Sequence, residues 1–98
     1  MTINKEANGD KLTVKVSGRL DTTTSPAFEK ELKDSLDGVK ELTLDLSDLE
    51  YISSAGLRVL LSTHKIMNTQ GSMKLVGVKE MIMEIFEVTG FSDILNIE

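Results

Sequence analysis

Apolar and polar residues alternate where Leu12, Val14 and Val16 are set between Lys11, Thr13, Lys15 and Ser17. A two-residue period of this kind is a strand with one buried face. Asn8-Gly9-Asp10 just ahead is a tight-turn signal, so residues from about Thr2 to Ala7 are expected to form an antiparallel hairpin partner. Leu42, Leu44 and Leu46 alternate with Glu41, Thr43 and Asp45, which predicts a second half-buried strand followed by a loop over Ser47 to Ile52. Met73 to Val78 is a third strand. Its more continuous apolar character places it nearer the centre of a sheet.

Between these strands the period lengthens. Phe28, Leu32 and Leu36 recur at i, i+4 and i+8, with Glu29, Lys30, Lys33 and Asp34 turned outward, the pattern of an amphipathic helix. Ser25 is the expected N-cap, Pro26 fits the first helical position, and Gly38 supplies the stop. A helix from about Ala55 to Thr69 ends near Gly71. It sets Gly56, Val59, Leu60, Thr63 and Met67 on one broad side, with Leu57, Arg58 and Leu61 toward or beyond its margin. Core packing is the expected role of Leu57 and Leu60. Gly56 permits close approach to the sheet or to a partner, since a mid-helix glycine otherwise costs about 1 kcal/mol against alanine. Met81, Ile82, Ile85 and Phe86 predict the inner face of a last helix that stops at Gly90, with Met83 outside that face. Phe91 to Ile97 is expected to pack as a short terminal turn or helix.

The order β-β-α-β-α-β-α makes a single domain over residues 1–98. Strand–helix–strand connections force parallel pairing with right-handed crossovers, whereas the opening hairpin is antiparallel. Alternating strands imply one covered sheet face. The expected fold is therefore a small α/β domain: a mixed sheet of about four strands, an antiparallel N-terminal hairpin then parallel crossovers, with helices packed on one face.

Composition acts by exclusion. Ninety-eight residues, 40% apolar and 28% charged, can bury one core without disulfides or metals. The absence of cysteine removes disulfides and thiolate metal sites and suits a reducing cytoplasm. Met1 to Glu6 lacks the apolar run of a signal peptide, and no stretch is long enough to cross a bilayer. A soluble cytoplasmic domain without membrane insertion is the expectation. A net charge of −5, no Lys/Arg cluster and few aromatics argue against direct nucleic-acid binding.

Loops leaving parallel strands emerge at one end of the sheet, where functional groups collect. Gly18 to Thr24 and Ser47 to Ser54 are the two such loops, so Asp21 and Ser53/Ser54 are expected to be neighbours. Both serines stand at a helix start, where free N–H groups and the positive dipole end favour an oxygen or an anion. One reading is a plain helix cap; the other is a phosphorylatable serine, whose added charge of about −1.5 to −2 its own helix would tolerate. These residues leave both open. Asp21 likewise is either a turn-stabilising side chain or a group that orients the serine.

Other chemistries fail on spacing. The single histidine, His64, is ten residues beyond Ser54 on the same helix, about 15 Å away by rise alone, too far to serve as the base of a serine hydrolase. Phosphate-loop and dinucleotide fingerprints are absent, and no cofactor is expected. Asp21, Asp48 and Glu50 read as solvated carboxylates and not as a metal site. An aspartate-phosphorylated receiver would need an acidic cluster at the strand ends, and Asp45 sits alone on an alternating strand.

The segment Leu44-Asp45-Leu46-Ser47, then Leu49, then Tyr51-Ile52-Ser53-Ser54-Ala55-Gly56-Leu57 resembles the signature of STAS domains, in particular the stand-alone anti-sigma factor antagonists. Gly18-Arg19-Leu20-Asp21 is similar to their second recurring element, and the order of elements also matches. The resemblance implies a partner switch and not an enzyme. The unphosphorylated protein would bind an anti-sigma factor that is also a serine kinase, freeing the sigma factor. Phosphorylation in the turn would break the complex, and a metal-dependent serine phosphatase would reset it. Against the family's common Asp-Ser-Ser/Thr-Gly-Leu, the phosphoacceptor falls on Ser54. Ser53 replaces the common aspartate, which makes Ser53 the alternative acceptor, and Ala55 replaces a hydroxyl residue. The partner-binding patch implied is Asp21, Ser53, Ala55, Gly56, Leu57, Arg58 and Leu61. A second reading of the resemblance is a structural subunit of a larger assembly, such as a lipid transporter accessory protein, with the turn unmodified.

Overall fold

The computed structural model describes residues 1–98. Its elements run β1 (Thr2–Asn8), β2 (Lys11–Leu20), α1 (Ser25–Asp34), β3 (Glu41–Ile52), α2 (Ser54–Gln70), β4 (Ser72–Val76), α3 (Glu80–Thr89) and a 3-10 turn (Phe91–Asp93). The four strands form one sheet in the order β1-β2-β3-β4. β1 and β2 pair antiparallel, while β2–β3 and β3–β4 are parallel. This is the mixed sheet that the alternating pattern predicts. Leu12, Val14, Val16, Leu42, Leu44, Leu46, Met73 and Leu75 point to the helices and join Phe28, Leu32, Leu60, Met67, Ile82 and Phe86 in one buried cluster. Thr13, Lys15, Thr43, Asp45 and Lys74 occupy the opposite, uncovered face and stay at least partly exposed. All three helices thus serve the same sheet face.

Five expectations need correction. The segment Ser47 to Ile52 is not a loop: β3 runs through it to Ile52. Its pairing with β2 slips by one residue between Lys15 and Ser17 and again between Gly18 and Arg19. Each slip inserts an extra β3 residue, as a bulge does. Burial therefore falls on Leu46, Leu49 and Ile52, a spacing of three that hides a strand from a search for period two.

β4 is an edge strand and not a central one. Met73 and Leu75 owe their burial to the helices. The free side of β4 is capped by the C-terminal segment: the Leu75 N–H donates to the Asn96 carbonyl and the Glu98 N–H to the Leu75 carbonyl, both at 2.8 Å.

The N-cap of α1 is Thr24 and not Ser25. Ser25 is buried, and its hydroxyl donates to the Asp21 carbonyl one turn back. At the other end the helix closes at Ser35, short of Gly38, and Leu36 is buried just beyond the last turn.

In α3 the buried line is Ile82 and Phe86. Met81 is 65% exposed, whereas Met83 is partly buried against the core, the reverse of the expected assignment. A line four residues apart fixes the inward direction of a helix. Met83 stands only one position from Ile82 and three from Phe86, on the core-side flank, while Met81 falls on the other.

Candidate functional site

The ends of β2 and β3 lie side by side. Leu20 pairs with Ile52, and the Ser53 N–H donates to the Leu20 carbonyl at 2.9 Å. The chain leaves the two strands at Asp21 and Ser53, so the loops bearing them are adjacent, as the topology predicts.

The two serines take different roles. Ser53 is the N-cap of α2 in extended backbone (φ −95°, ψ 175°), and its hydroxyl oxygen accepts from the Gly56 N–H at 3.5 Å. Its carbonyl accepts from the Leu57 N–H at 3.0 Å. Ser54 is the first helical residue and is exposed; its hydroxyl makes no hydrogen bond within the protein. No acidic residue occupies the first turn of α2, so the positive end of the helix dipole there is uncompensated by a side chain.

Gly56 is what lets this turn sit so low on the sheet. A Cβ at this position would lie 2.8 Å from both Ile52 Cγ1 and Leu20 Cγ. Gly56 is buried and Leu57 is 6% exposed, so both support the turn from behind and neither presents a surface. Arg58 is exposed, and Ala55 and Leu61 are half-buried. Ala55 and Arg58 share a shallow cleft of about 270 Å³ with Thr22, Ser25, Pro26 and Glu29 from the start of α1.

Asp21 is folded into its own turn. Its Oδ1 accepts from the Thr23 hydroxyl at 2.7 Å and from the Thr23 and Thr24 N–H groups, each at 3.0 Å. The Thr23 hydroxyl and then the Thr24 N–H hold its pKa down to about 2. Asp21 therefore stabilises the loop beside the serine turn, and its carboxylate is committed there. Asp48, offered by the sequence as a solvated carboxylate, pairs with Lys15 across the strands at 3.2 Å. The imidazole of His64 lies beside Asn68, with Nε2 3.3 Å from the Asn68 amide nitrogen, far along α2 from the serines.

One feature of the site was not legible in the sequence. The second slip of β3 sets Tyr51 opposite Arg19, and the Arg19 guanidinium lies over the Tyr51 ring at 4.3 Å from its centroid. Arg19 Nε also approaches Asp21 Oδ2 at 3.9 Å. Both residues stand in the recognised motifs, but their pairing depends on the extra residues in β3. The resulting cation–π stack borders the serine turn.

A mixed four-stranded sheet with an exposed serine starting the helix after its third strand is the architecture of a STAS domain. The profile of that family matches residues 2–98, and the chain belongs to it. Among its relatives is the anti-sigma-B factor antagonist of Bacillus subtilis (strain 168), 29% identical over 98 residues that cover 99% of this chain and 90% of the relative. The anti-sigma-B factor antagonist of Listeria monocytogenes serovar 1/2a (strain ATCC BAA-679 / EGD-e) is 33% identical, covering 96% of this chain and 84% of the relative. The crystal structure of an anti-sigma factor antagonist from Mycobacterium paratuberculosis superposes with a TM-score of 0.88 at 26% identity, over 98% of this chain and 83% of that one. No helix in the structure is long and apolar enough to cross a membrane.

Proposed function

We propose that this STAS domain is an anti-sigma factor antagonist, a cytoplasmic binding protein whose affinity for an anti-sigma factor/serine kinase is set by phosphorylation of Ser54. The observation that carries the proposal is the division of labour at the start of α2: Ser53 is occupied as cap, and Ser54 is exposed with its hydroxyl free. The relatives are consistent with this role. A kinase would transfer the γ-phosphoryl group of ATP to Ser54 Oγ, releasing ADP and the hydroxyl proton, and a metal-dependent serine phosphatase would hydrolyse the ester. The partner surface is built on Ser54, Arg58 and Leu61, with Ala55 and the Asp21 turn at its border. Gly56 and Leu57 set its height from beneath.

The energetics suit a switch. An interface that covers a neutral hydroxyl must desolvate a dianion after modification, at a cost of several kcal/mol unless cations compensate it. Each 1.4 kcal/mol is tenfold in affinity, so one ester bond suffices to part the complex without unfolding either partner.

Intact-mass measurement after incubation with ATP and a candidate anti-sigma factor/serine kinase from the same organism tests the proposal. A gain of one phosphate that disappears in Ser54→Ala is the expected result. No modification by an active kinase would overturn it and favour an unmodified subunit of a larger assembly. Ser54→Asp should weaken kinase binding at least tenfold while leaving Tm nearly unchanged.

A further inference from the structure

The chain contains two arginines, Arg19 and Arg58, and the fold treats them differently. Arg19 is committed, stacked on Tyr51 at 4.3 Å and near Asp21 Oδ2 at 3.9 Å. Arg58 is exposed on α2 and forms no ion pair. The acid that lines its cleft is Glu29, whose carboxylate is held by Lys33 at 3.2 Å. An arginine with no anion stands one helical turn from a serine with no hydrogen bond.

Ser54 and Arg58 are i and i+4 on an uninterrupted helix. Such residues share a face, with their Cβ atoms about 5–6 Å apart. Arg58 lines the cleft between α1 and α2 beside Ala55, and because helical side chains lean toward the N-terminus, its guanidinium is within reach of the turn that Ser54 begins. We infer that Arg58 is the internal counter-ion of phosphorylated Ser54, withdrawn from the partner surface by the same modification that adds the negative charge. This rests on Ser54 being the acceptor.

Three features of the turn support the pairing. A guanidinium binds a phosphate through two parallel N–H donors, a geometry lysine cannot offer. The free N–H groups at the start of α2 favour the dianion from the other side. No acid in the first turn competes for Arg58 or repels the phosphate, because serine stands at position 53. The other charges bordering the turn, Asp21 and Arg19, are engaged with each other and with the Thr23–Thr24 turn. Phosphorylation therefore tightens the first turn of α2 and removes from the surface the cation a partner's carboxylate would seek. One event costs the complex two favourable features.

Phosphoserine placed at position 54 by semisynthesis or amber-codon incorporation tests this without a kinase. In a phosphorus-31 NMR titration, the second ionisation of the phosphate should occur about half a pH unit lower with Arg58 present than in R58Q. R58K should recover part of the difference, and R19Q should leave the titration unchanged. The rise in Tm on phosphorylation should also be smaller in R58Q than with arginine. Identical titrations for the native protein and R58Q, or a shift that follows R19Q instead, would overturn the inference. Either failure rejects the pairing and leaves Ser54 standing as acceptor, whereas absence of kinase modification rejects the acceptor on which the pairing rests and leaves the titration result unaffected.

Discussion

Adjacent serines of identical chemistry are separated by one step of backbone geometry. Ser53, in extended conformation, turns its oxygen onto the Gly56 N–H; Ser54, already helical, faces solvent. Loss of an N-cap costs about 0.5–2 kcal/mol, and the long 3.5 Å bond places Ser53→Ala at the lower end. Ser54→Ala should stay within about 0.5 kcal/mol of the parent. Urea denaturation of the two variants separates the roles, and an inverted order would reassign the cap. Asp21 supplies a second test at this scale. Its pKa in the folded chain is about 2, against an ordinary value of 3.8. The stabilisation it adds is therefore present in full above about pH 4 and is lost as pH falls toward 2. Asp21→Asn should lose stability at neutral pH and show a shallower decline across that acid window in pH-dependent denaturation. Part of the decline should persist, because the Ser47 hydroxyl and N–H also lower the pKa of Asp45. An unchanged acid profile would contradict the hydrogen-bonded turn.

The elements are fitted to one another through close backbone approaches as well as apolar faces. At the lower end of α2, a Cβ on Gly71 would stand 1.9 Å from the Lys40 carbonyl oxygen. That carbonyl already accepts from the Ser72 N–H at 2.8 Å, so it cannot swing aside without breaking the entry to β4. The obstacle is backbone and has no rotamer in which to escape. Gly71→Ala should cost about 1–3 kcal/mol, the usual range for overpacking, measurable as a lower urea midpoint with unchanged slope. A neutral result would mean that the α2–β4 connection can shift. Gly56 makes the equivalent contact at the other end of α2 with the Leu20 and Ile52 side chains, and so determines how far the serine turn stands above the sheet.

For the whole molecule the decisive fact is that 22 buried residues from strands and helices form one cluster. Phe86 anchors α3 to it and is fully buried. Phe86→Ala should cost about 3–5 kcal/mol, a large share of the 5–15 kcal/mol typical of such a domain. With one core, the variant should still unfold in a single transition at lower denaturant, coincident by circular dichroism and by amide NMR signals from α3 and β2. Early separate loss of α3 would mean that it is an independently folding appendage. A rigid single core also suits the proposed switch, since a change confined to Ser54 and Arg58 needs no rearrangement beneath them.

The sequence by itself determined the element order, the mixed sheet and its covered face, because these follow from the periods in which apolar residues recur and from connection rules that admit few topologies. It also carried the family signature and brought Asp21 together with the serine turn. The continuation of β3 to Ile52 escaped it, since each bulge adds a residue and breaks the alternation by which strands are read. The edge position of β4 escaped it too, because burial by overlying helices and burial between strands leave the same apolar composition. Only the tertiary structure gave the two serines different tasks, committed Asp21 to its own turn, stacked Arg19 on Tyr51 and left Arg58 unpaired. Those outcomes depend on where side chains from separate segments meet, and local sequence spacing does not encode such meetings.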